Sequence, residues 1–161
     1  MSPFAFNEEN EQKFQALLTR YPDKHSLMLP ALWMVQYQEG FVSLPSMQFI
    51  AKKLECSAME VYSVASFYTM FNLQPIGIYH LQLCKTLSCM LNGSKTLQEH
   101  LQQKLGIKAG ETTADKLFTF SLVECLGSCG TAPCMRLNDD YIEELTPEKL
   151  DTLLDRLRHD H

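Results

Sequence analysis

Two stretches of this chain decide its fold: residues 78–89 read IYHLQLCKTLSC, and residues 118–129 read FTFSLVECLGSC. Each begins with alternating apolar positions, which predict a β-strand with one buried face. Each predicted strand runs into a short loop at a cysteine, Cys84 in the first stretch and Cys125 in the second. The segments around them determine how these two strands are joined.

A helix and a hairpin complete this half of the chain. Leucines at helical spacing predict a helix from about Ser94 to Leu105, between the two strands. After the second cysteine loop, residues 133–137 and 141–143 flank Asn138-Asp139-Asp140, which is typical of a hairpin turn. A last helix is predicted from Pro147, a favoured first helical residue. The order is therefore βαβ followed by ββα.

This order predicts where the cysteines meet. A helical crossover makes the first two strands parallel, and a hairpin makes the last two antiparallel, so we expect a four-stranded mixed sheet in the thioredoxin-like layout. Parallel strands end at the same edge of a sheet, which is where open α/β sheets place their sites. The loop with Cys84 and Cys89 should therefore lie beside the loop with Cys125 and Cys129.

Four thiolates at one point bind iron–sulfur clusters or zinc. Ordinary free thiols are a poor explanation of two short-spaced pairs at one sheet edge, and a reducing compartment disfavours disulfides. A thioredoxin-type redox motif would need C-x-x-C, and the chain has none. Zinc remains the serious rival, although structural zinc sites usually include a tighter pair than these.

The spacing favours one kind of cluster among several. A Rieske centre needs two histidine ligands, and a [4Fe–4S] centre typically shows C-x2-C-x2-C, which is absent here. Neither cysteine loop contains a histidine; the five histidines are His25, His80, His100, His159 and His161. A [2Fe–2S] cluster with one cysteine pair on each iron fits best. Gly127 and Gly130 would let the backbone turn closely around it and direct N–H groups at its sulfurs.

The first half of the chain predicts short amphipathic helices. Asn7 can cap the first, which Pro22 ends, and a second runs from about Pro30 to Gly40. Pro45 suits the start of a third helix. A fourth begins at the capping box S-x-x-E formed by Ser57 and Glu60. We therefore expect a helical domain over residues 1–74 and a mixed-sheet domain over residues 75–161, an α+β chain overall.

Composition and motifs argue against several classes of function. The 161 residues are 45% hydrophobic, enough for a real core, and the net charge of -5 without a long basic run argues against nucleic acid. No apolar stretch approaches a membrane span, and residues 1–13 resemble neither a signal nor a transit peptide, so we expect a cytosolic protein. The chain has no G-x-G-x-x-G after a strand and no P-loop, and so nothing that would bind NADH or FMN alone.

At this point the sequence resembles a known family, the E-type subunits of NADH–quinone oxidoreductase, respiratory complex I. Four blocks match it in order: YSVASFYTMFNLQP at 62–75, the C-x4-C pair, ECLGSCGTAP at 124–133, and NDDYIEELTPEKL at 138–150. The resemblance implies a helical region followed by a thioredoxin-like [2Fe–2S] ferredoxin domain. By position, the matching ligands are Cys84, Cys89, Cys125 and Cys129.

The resemblance also implies partners. This chain would exchange single electrons between its cluster and FMN on the NADH-binding F-type subunit, in a peripheral arm that includes the G-type subunit, on the cytoplasmic side of the membrane. Similar ferredoxin subunits serve NAD-linked hydrogenases and formate dehydrogenases, which are the alternative within the same chemistry. A zinc-stabilised interaction module is the alternative from another class.

Some residues depart from the family pattern or fall outside it. Ser88 stands where the family often has Pro, and Cys134 where it is usually aliphatic or Met; we expect Cys134 to be a small core or loop residue, and Cys56 to be structural. Glu143 is interpreted as part of a solvated face. Met70, Phe71 and Leu73 are either a docking patch or internal packing, and packing is favoured.

Overall fold

The computed structural model describes residues 4–160. These residues contain seven α-helices and four β-strands. The helices are α1 (Glu8–Leu18), α2 (Met28–Glu39), α3 (Leu44–Leu54), α4 (Ala58–Phe67), α5 (Leu87–Leu91), α6 (Ser94–Leu105) and α7 (Pro147–His159). The strands are β1 (Tyr79–Cys84), β2 (Phe118–Val123), β3 (Met135–Leu137) and β4 (Asp140–Ile142). The chain divides into two compact units, Met1–Pro75 and Ile76–His161.

Helix α1 to helix α4 build the first unit, and their ends follow the predicted capping chemistry. The side chain of Asn7 accepts a hydrogen bond from the backbone of Asn10, and Ser57 and Glu60 form the full capping box of α4. The first helix is shorter than predicted, because it ends at Leu18, and Tyr21 beyond it is 42% exposed.

One apolar core holds these helices together, which isolated helices of this length would need to be stable. Its fully buried members include Phe14, Leu27, Leu32, Ile50 and Leu54. Phe71 belongs to the same core: it is 5% exposed and its ring packs 5.3 Å from that of Trp33. Met70 and Leu73 are partly buried against it. The packing interpretation of this segment is therefore confirmed.

The second unit is a four-stranded mixed sheet in the order β2-β1-β3-β4. β1 and β2 run parallel, whereas β1 with β3 and β3 with β4 run antiparallel, as the βαβ and ββα order predicted. Alternate strand residues pack with leucines of α6 and α7 in one core. These core residues are Leu81, Leu83, Phe118, Phe120, Leu97, Leu101, Leu150, Leu154 and Leu157.

Gly77 shows how tightly the chain enters this sheet. A Cβ at this position would come within 2.9 Å of backbone atoms of Leu117 and Lys116. The Gly77 N–H donates to the hydroxyl of Thr119 at 2.6 Å. Only a residue without a side chain fits this approach, and it fixes β1 beside β2. Among residues 4–160, no helix is long and apolar enough to cross a membrane.

Candidate metal centre

Parallel pairing of β1 and β2 brings the two cysteine loops together. Cys84 is the last residue of β1 and pairs with Val123, the last residue of β2. The backbone N–H of Lys85 donates to the carbonyl of Val123 at 3.0 Å, so the two chain segments leave the sheet side by side. Cys125 follows two residues later. The sequence argument for neighbouring loops therefore holds in the structure.

The first loop is a helix rather than the irregular loop that the sequence suggested. Helix α5 spans Leu87–Leu91 and places Cys89 on its inner side, where it is 1% exposed. Thr86 stands at the N-cap, yet its side chain makes no capping hydrogen bond. Its hydroxyl lies instead 3.2 Å from the sulfur of Cys84. Leu87 and Leu91 face outward and are 67% and 77% exposed.

The second loop is shaped by a left-handed turn. Gly127 has φ +83°, a conformation that L side chains rarely adopt. Its N–H points back at the sulfur of Cys125, 3.4 Å away. The sulfurs of Cys125 and Cys129 lie 3.6 Å apart, and both residues are exposed. Gly130 carries no positive φ, so the conformational role assigned to the two glycines falls on Gly127.

Polar groups in each loop face sulfurs of the other loop. The hydroxyl of Thr86 faces the sulfur of Cys125 as well as that of Cys84. The N–H of Leu126, in the second loop, faces the sulfur of Cys84. The hydroxyl of Ser88, in α5, faces the sulfur of Cys129. The four cysteines predicted from sequence are therefore all drawn into one region.

These contacts favour the thiolate at one cysteine of each pair. The N–H of Gly127, with the Cys129 thiol, lowers the pKa of Cys125. Burial opposes ionisation of Cys84, but hydrogen bonds from Thr86 and Leu126 outweigh it, so the pKa of Cys84 is also lowered. The thiolate is the form that binds metal. A donor set of thiols with backbone N–H groups directed at their sulfurs suits an iron–sulfur cluster, so the residues present fit a [2Fe–2S] group.

Cys134 is a fifth sulfur at this centre, which the sequence did not predict. It is 1% exposed, and its sulfur lies 3.8 Å from that of Cys89. The sulfurs of Cys84, Cys89 and Cys134 all lie within 4.8 Å of one another. Burial raises the pKa of Cys134 to about 12, and the neighbouring Cys89 thiol adds to this effect. The prediction that Cys134 is a small core or loop residue agrees with its burial, but its closeness to two predicted ligands is new.

Glu143 is a second residue whose role the sequence did not predict. Its carboxylate accepts hydrogen bonds from the hydroxyls of Ser128 and Thr131, which flank Cys129. These bonds lower the pKa of Glu143. Tyr141 reaches the same loop, since its hydroxyl donates to the carbonyl of Leu126 at 2.9 Å. Glu143 is exposed, as the interpretation of a solvated face expects, and in addition it holds the second cysteine loop through these hydrogen bonds. In the sequence, the polar residues Ser128 and Thr131 near Cys129 were the signal that could have indicated this role.

Comparisons with known proteins identify the family of this chain. Residues 14–158 match the family profile of the thioredoxin-like [2Fe-2S] ferredoxins. The chain is 42% identical over 160 residues to the E-type subunit of NADH-quinone oxidoreductase from Rickettsia bellii (strain RML369-C), covering 98% of this chain and 96% of the relative. It is 46% identical over 147 residues to the second E-type NADH-quinone oxidoreductase subunit of Rhizobium meliloti (strain 1021), covering 91% and 88%.

Solved structures show the same fold in another setting. The NAD+-reducing [NiFe]-hydrogenase in its H2-reduced state contains a chain that superposes with a TM-score of 0.75 at 21% identity. The match covers 84% of this chain and 22% of that chain, so it supports the fold alone. The family profile and the identity and coverage of the two E-type relatives define the family of this chain. This chain belongs to the thioredoxin-like [2Fe-2S] ferredoxins and, within them, to the family of E-type NADH-quinone oxidoreductase subunits.

Proposed function

We propose that this chain is the electron-transferring, E-type subunit of an NADH–quinone oxidoreductase and that Cys84, Cys89, Cys125 and Cys129 hold its one [2Fe–2S] cluster. The meeting of two cysteine pairs at the end of the parallel strands β1 and β2 is the observation that carries this proposal. The near full-length similarity to E-type sequences supports it. The bound group supplies reversible one-electron transfer.

The protein's own residues hold and insulate that group. Cys84 and Cys89 supply buried sulfurs from β1 and α5, whereas Cys125 and Cys129 supply exposed sulfurs on the opposite loop. Thr86 and Gly127 donate hydrogen bonds to sulfur, which favours the more negatively charged, reduced state. The first cysteine pair is therefore covered by protein, whereas the second pair is exposed.

The outer face of α5, beside the centre, is apolar. Leu87, Met90 and Leu91 project from α5 and are 67%, 53% and 77% exposed. Exposed apolar side chains beside a redox centre suit a protein surface that must approach closely. We assign this face to the FMN- and NADH-binding F-type subunit, in a peripheral arm that also contains the G-type subunit. The assembly would lie on the cytoplasmic side of the inner membrane, with this chain not inserted in it.

The test begins with the metal. Anaerobic purification should give two irons and two sulfides per chain. The EPR spectrum should be silent when the protein is oxidised and should show a spin-half signal after dithionite. One zinc and no sulfide, even after attempted reconstitution, would contradict the proposal and favour a structural metal. Co-purification decides the parent complex, since a NAD-linked hydrogenase or formate dehydrogenase would bring its own catalytic protein in place of complex I proteins.

Two cysteine variants test the ligand set. Cys125→Ala removes a proposed ligand and should abolish or badly destabilise the cluster. Cys134→Ala removes the fifth sulfur and should leave the visible absorption spectrum of the cluster unchanged. Iron and sulfide content with the visible spectrum provides the readout for both. Loss of the cluster in Cys134→Ala would show that the proposed ligand set is wrong.

A further inference from the structure

The geometry points to a second metal site that overlaps the first: we propose that the cluster-free protein binds one soft, closed-shell divalent metal ion, of the Zn²⁺ and Cd²⁺ class, through Cys84, Cys89 and Cys134. This site shares two sulfurs with the proposed cluster ligands and replaces the exposed pair, Cys125 and Cys129, with the buried Cys134. It does not depend on the proposed electron-transfer function.

One sulfur separation already matches such an ion, and the other two come close to it. A tetrahedral metal about 2.3 Å from each thiolate places neighbouring sulfurs about 3.8 Å apart. The sulfurs of Cys89 and Cys134 lie 3.8 Å apart, and the sulfur of Cys84 lies within 4.8 Å of both. A shift well within the range of side-chain rotation would close the remaining gap. The ion would therefore need no rearrangement of the backbone.

Three separate elements hold these sulfurs in place without a metal. Cys84 ends β1, and Cys89 lies in α5. Cys134 is fixed at the entry to β3, because its carbonyl accepts the N–H of Cys84 at 3.2 Å. All three residues are 1% exposed. Cys125 and Cys129, by contrast, lie on an exposed loop, so the buried sulfurs are the better organised ligands before any cofactor arrives.

The donor chemistry selects the kind of ion. Three thiols with no carboxylate in the group favour a soft metal over Mg²⁺ or Ca²⁺, which prefer oxygen ligands. Ionising several buried thiols is costly without a cation, and a divalent ion removes that cost by binding the thiolates directly. Water can take the fourth position.

Sharing Cys84 and Cys89 makes the two occupants exclusive. A metal ion on the buried sulfurs would occupy half of the proposed cluster ligands. Cluster insertion must then displace it, so zinc should slow the loading of this protein. The buried position of Cys134 makes this effect specific to one residue.

The decisive experiment titrates the reduced, cluster-free full chain with Cd²⁺ under anaerobic conditions, against a competing chelator. Thiolate-to-cadmium charge-transfer absorption reports binding, and we expect one ion per chain. Cys134→Ser should weaken Cd²⁺ binding by roughly tenfold or more. The matched control, Cys129→Ser, makes the same exchange in the exposed pair and should leave the affinity essentially unchanged.

Two results would overturn the proposal. In the first, Cys129→Ser weakens binding and Cys134→Ser does not, which would place the ion in the proposed cluster ligand set. In the second, the wild-type chain takes up no stoichiometric Cd²⁺. If Cys134→Ser proves poorly folded, cadmium NMR of the wild-type chain with the Cys129→Ser variant decides instead: an unchanged cadmium resonance in the variant supports the buried site, and a shifted one rejects it.

A competition experiment adds an independent readout. In the wild-type chain, cluster reconstitution should be slower in excess Zn²⁺ than without zinc. The factor by which Zn²⁺ slows reconstitution should be smaller in Cys134→Ser. Equal slowing in both proteins would reject the role of Cys134. The Cd²⁺ titration requires no iron, so it can be interpreted even if the wild-type chain never holds a cluster and the proposed function fails.

Discussion

Thr86 stands at a helix N-cap but serves the metal centre instead of the helix. Its hydroxyl is 3.2 Å from the sulfur of Cys84 and also faces Cys125, so one hydroxyl reaches a cysteine of each pair. Thr and Ser at N-caps normally accept a hydrogen bond from the first turn of the helix, and Thr86 does not. Its position is therefore better explained by the sulfurs than by helix capping.

We expect Thr86→Val to lower the reduction potential of the bound cluster. Valine keeps the shape and removes the donor, and hydrogen bonds to the sulfurs favour the reduced state. A drop of roughly tens of millivolts corresponds to a hydrogen bond of ordinary strength. Potentiometric titration followed by EPR measures it. Thr86→Ser, which keeps the hydroxyl, should restore the wild-type potential, and an unchanged potential in Thr86→Val would refute this role.

His80 is buried in β1 with a hydrogen bond of 2.8 Å to the hydroxyl of Ser121. Burial, with the nearby Arg136 charge, lowers the pKa of His80 from 6.5 to about 4. As pH falls below about 6.5, His80 takes up a proton in the unfolded chain but stays neutral in the folded chain. The contribution of neutral His80 to the free energy of unfolding is therefore complete above that pH and declines as pH falls toward about 4.

The expected loss is on the order of 3 kcal/mol across this window. Carboxylates titrate in the same range, so the quantity to measure is the difference in unfolding free energy between the wild-type chain and His80→Gln. Denaturant unfolding at several pH values provides it. The advantage of the wild type should shrink as pH falls. Parallel stability profiles for the two proteins would show that His80 is not the titrating group.

At the scale of elements, the close approach at Gly77 controls how β1 meets β2. Gly77→Ala would press a methyl group against the backbone of Leu117 at 2.9 Å, where no side chain can move aside. We expect a loss of about 1–3 kcal/mol in unfolding free energy, measured by urea denaturation. Gly130→Ala is the matched control, because its Cβ would meet nothing within 4 Å. Similar losses in both variants would contradict this explanation.

Element patterns explain which features the sequence could predict. Alternation in residues 78–84 and 118–123 predicted the strands, and Pro147 at the first helical position predicted the last helix, because each signal lies within its own segment. The short helix α5 was missed, since five residues with a cysteine facing inward show no readable period. Cys134 could not be placed beside Cys89 from sequence, because that contact depends on the pairing of β3 with β1.

At the scale of the whole chain, we expect residues 76–161 to form a domain that folds and loads its cluster alone. This segment has its own apolar core, and it contains Cys84, Cys89, Cys125, Cys129 and Cys134. The truncated chain should show cooperative thermal unfolding and the EPR signal of the full-length protein. A fragment that is unfolded, or folded but unable to hold iron, would show that residues 1–75 are required.

The parallel pairing of β1 with β2 joins two cysteine pairs that are synthesised at different times. Cys84 and Cys89 emerge from the ribosome long before Cys125 and Cys129, and helix α6 and strand β2 must form between them. A nascent chain thus carries half of its ligands, with no partner pair, while the 35 residues between Cys89 and Cys125 are made. Delivery of iron and sulfide by the cell's assembly machinery is therefore productive only near the end of translation or after release.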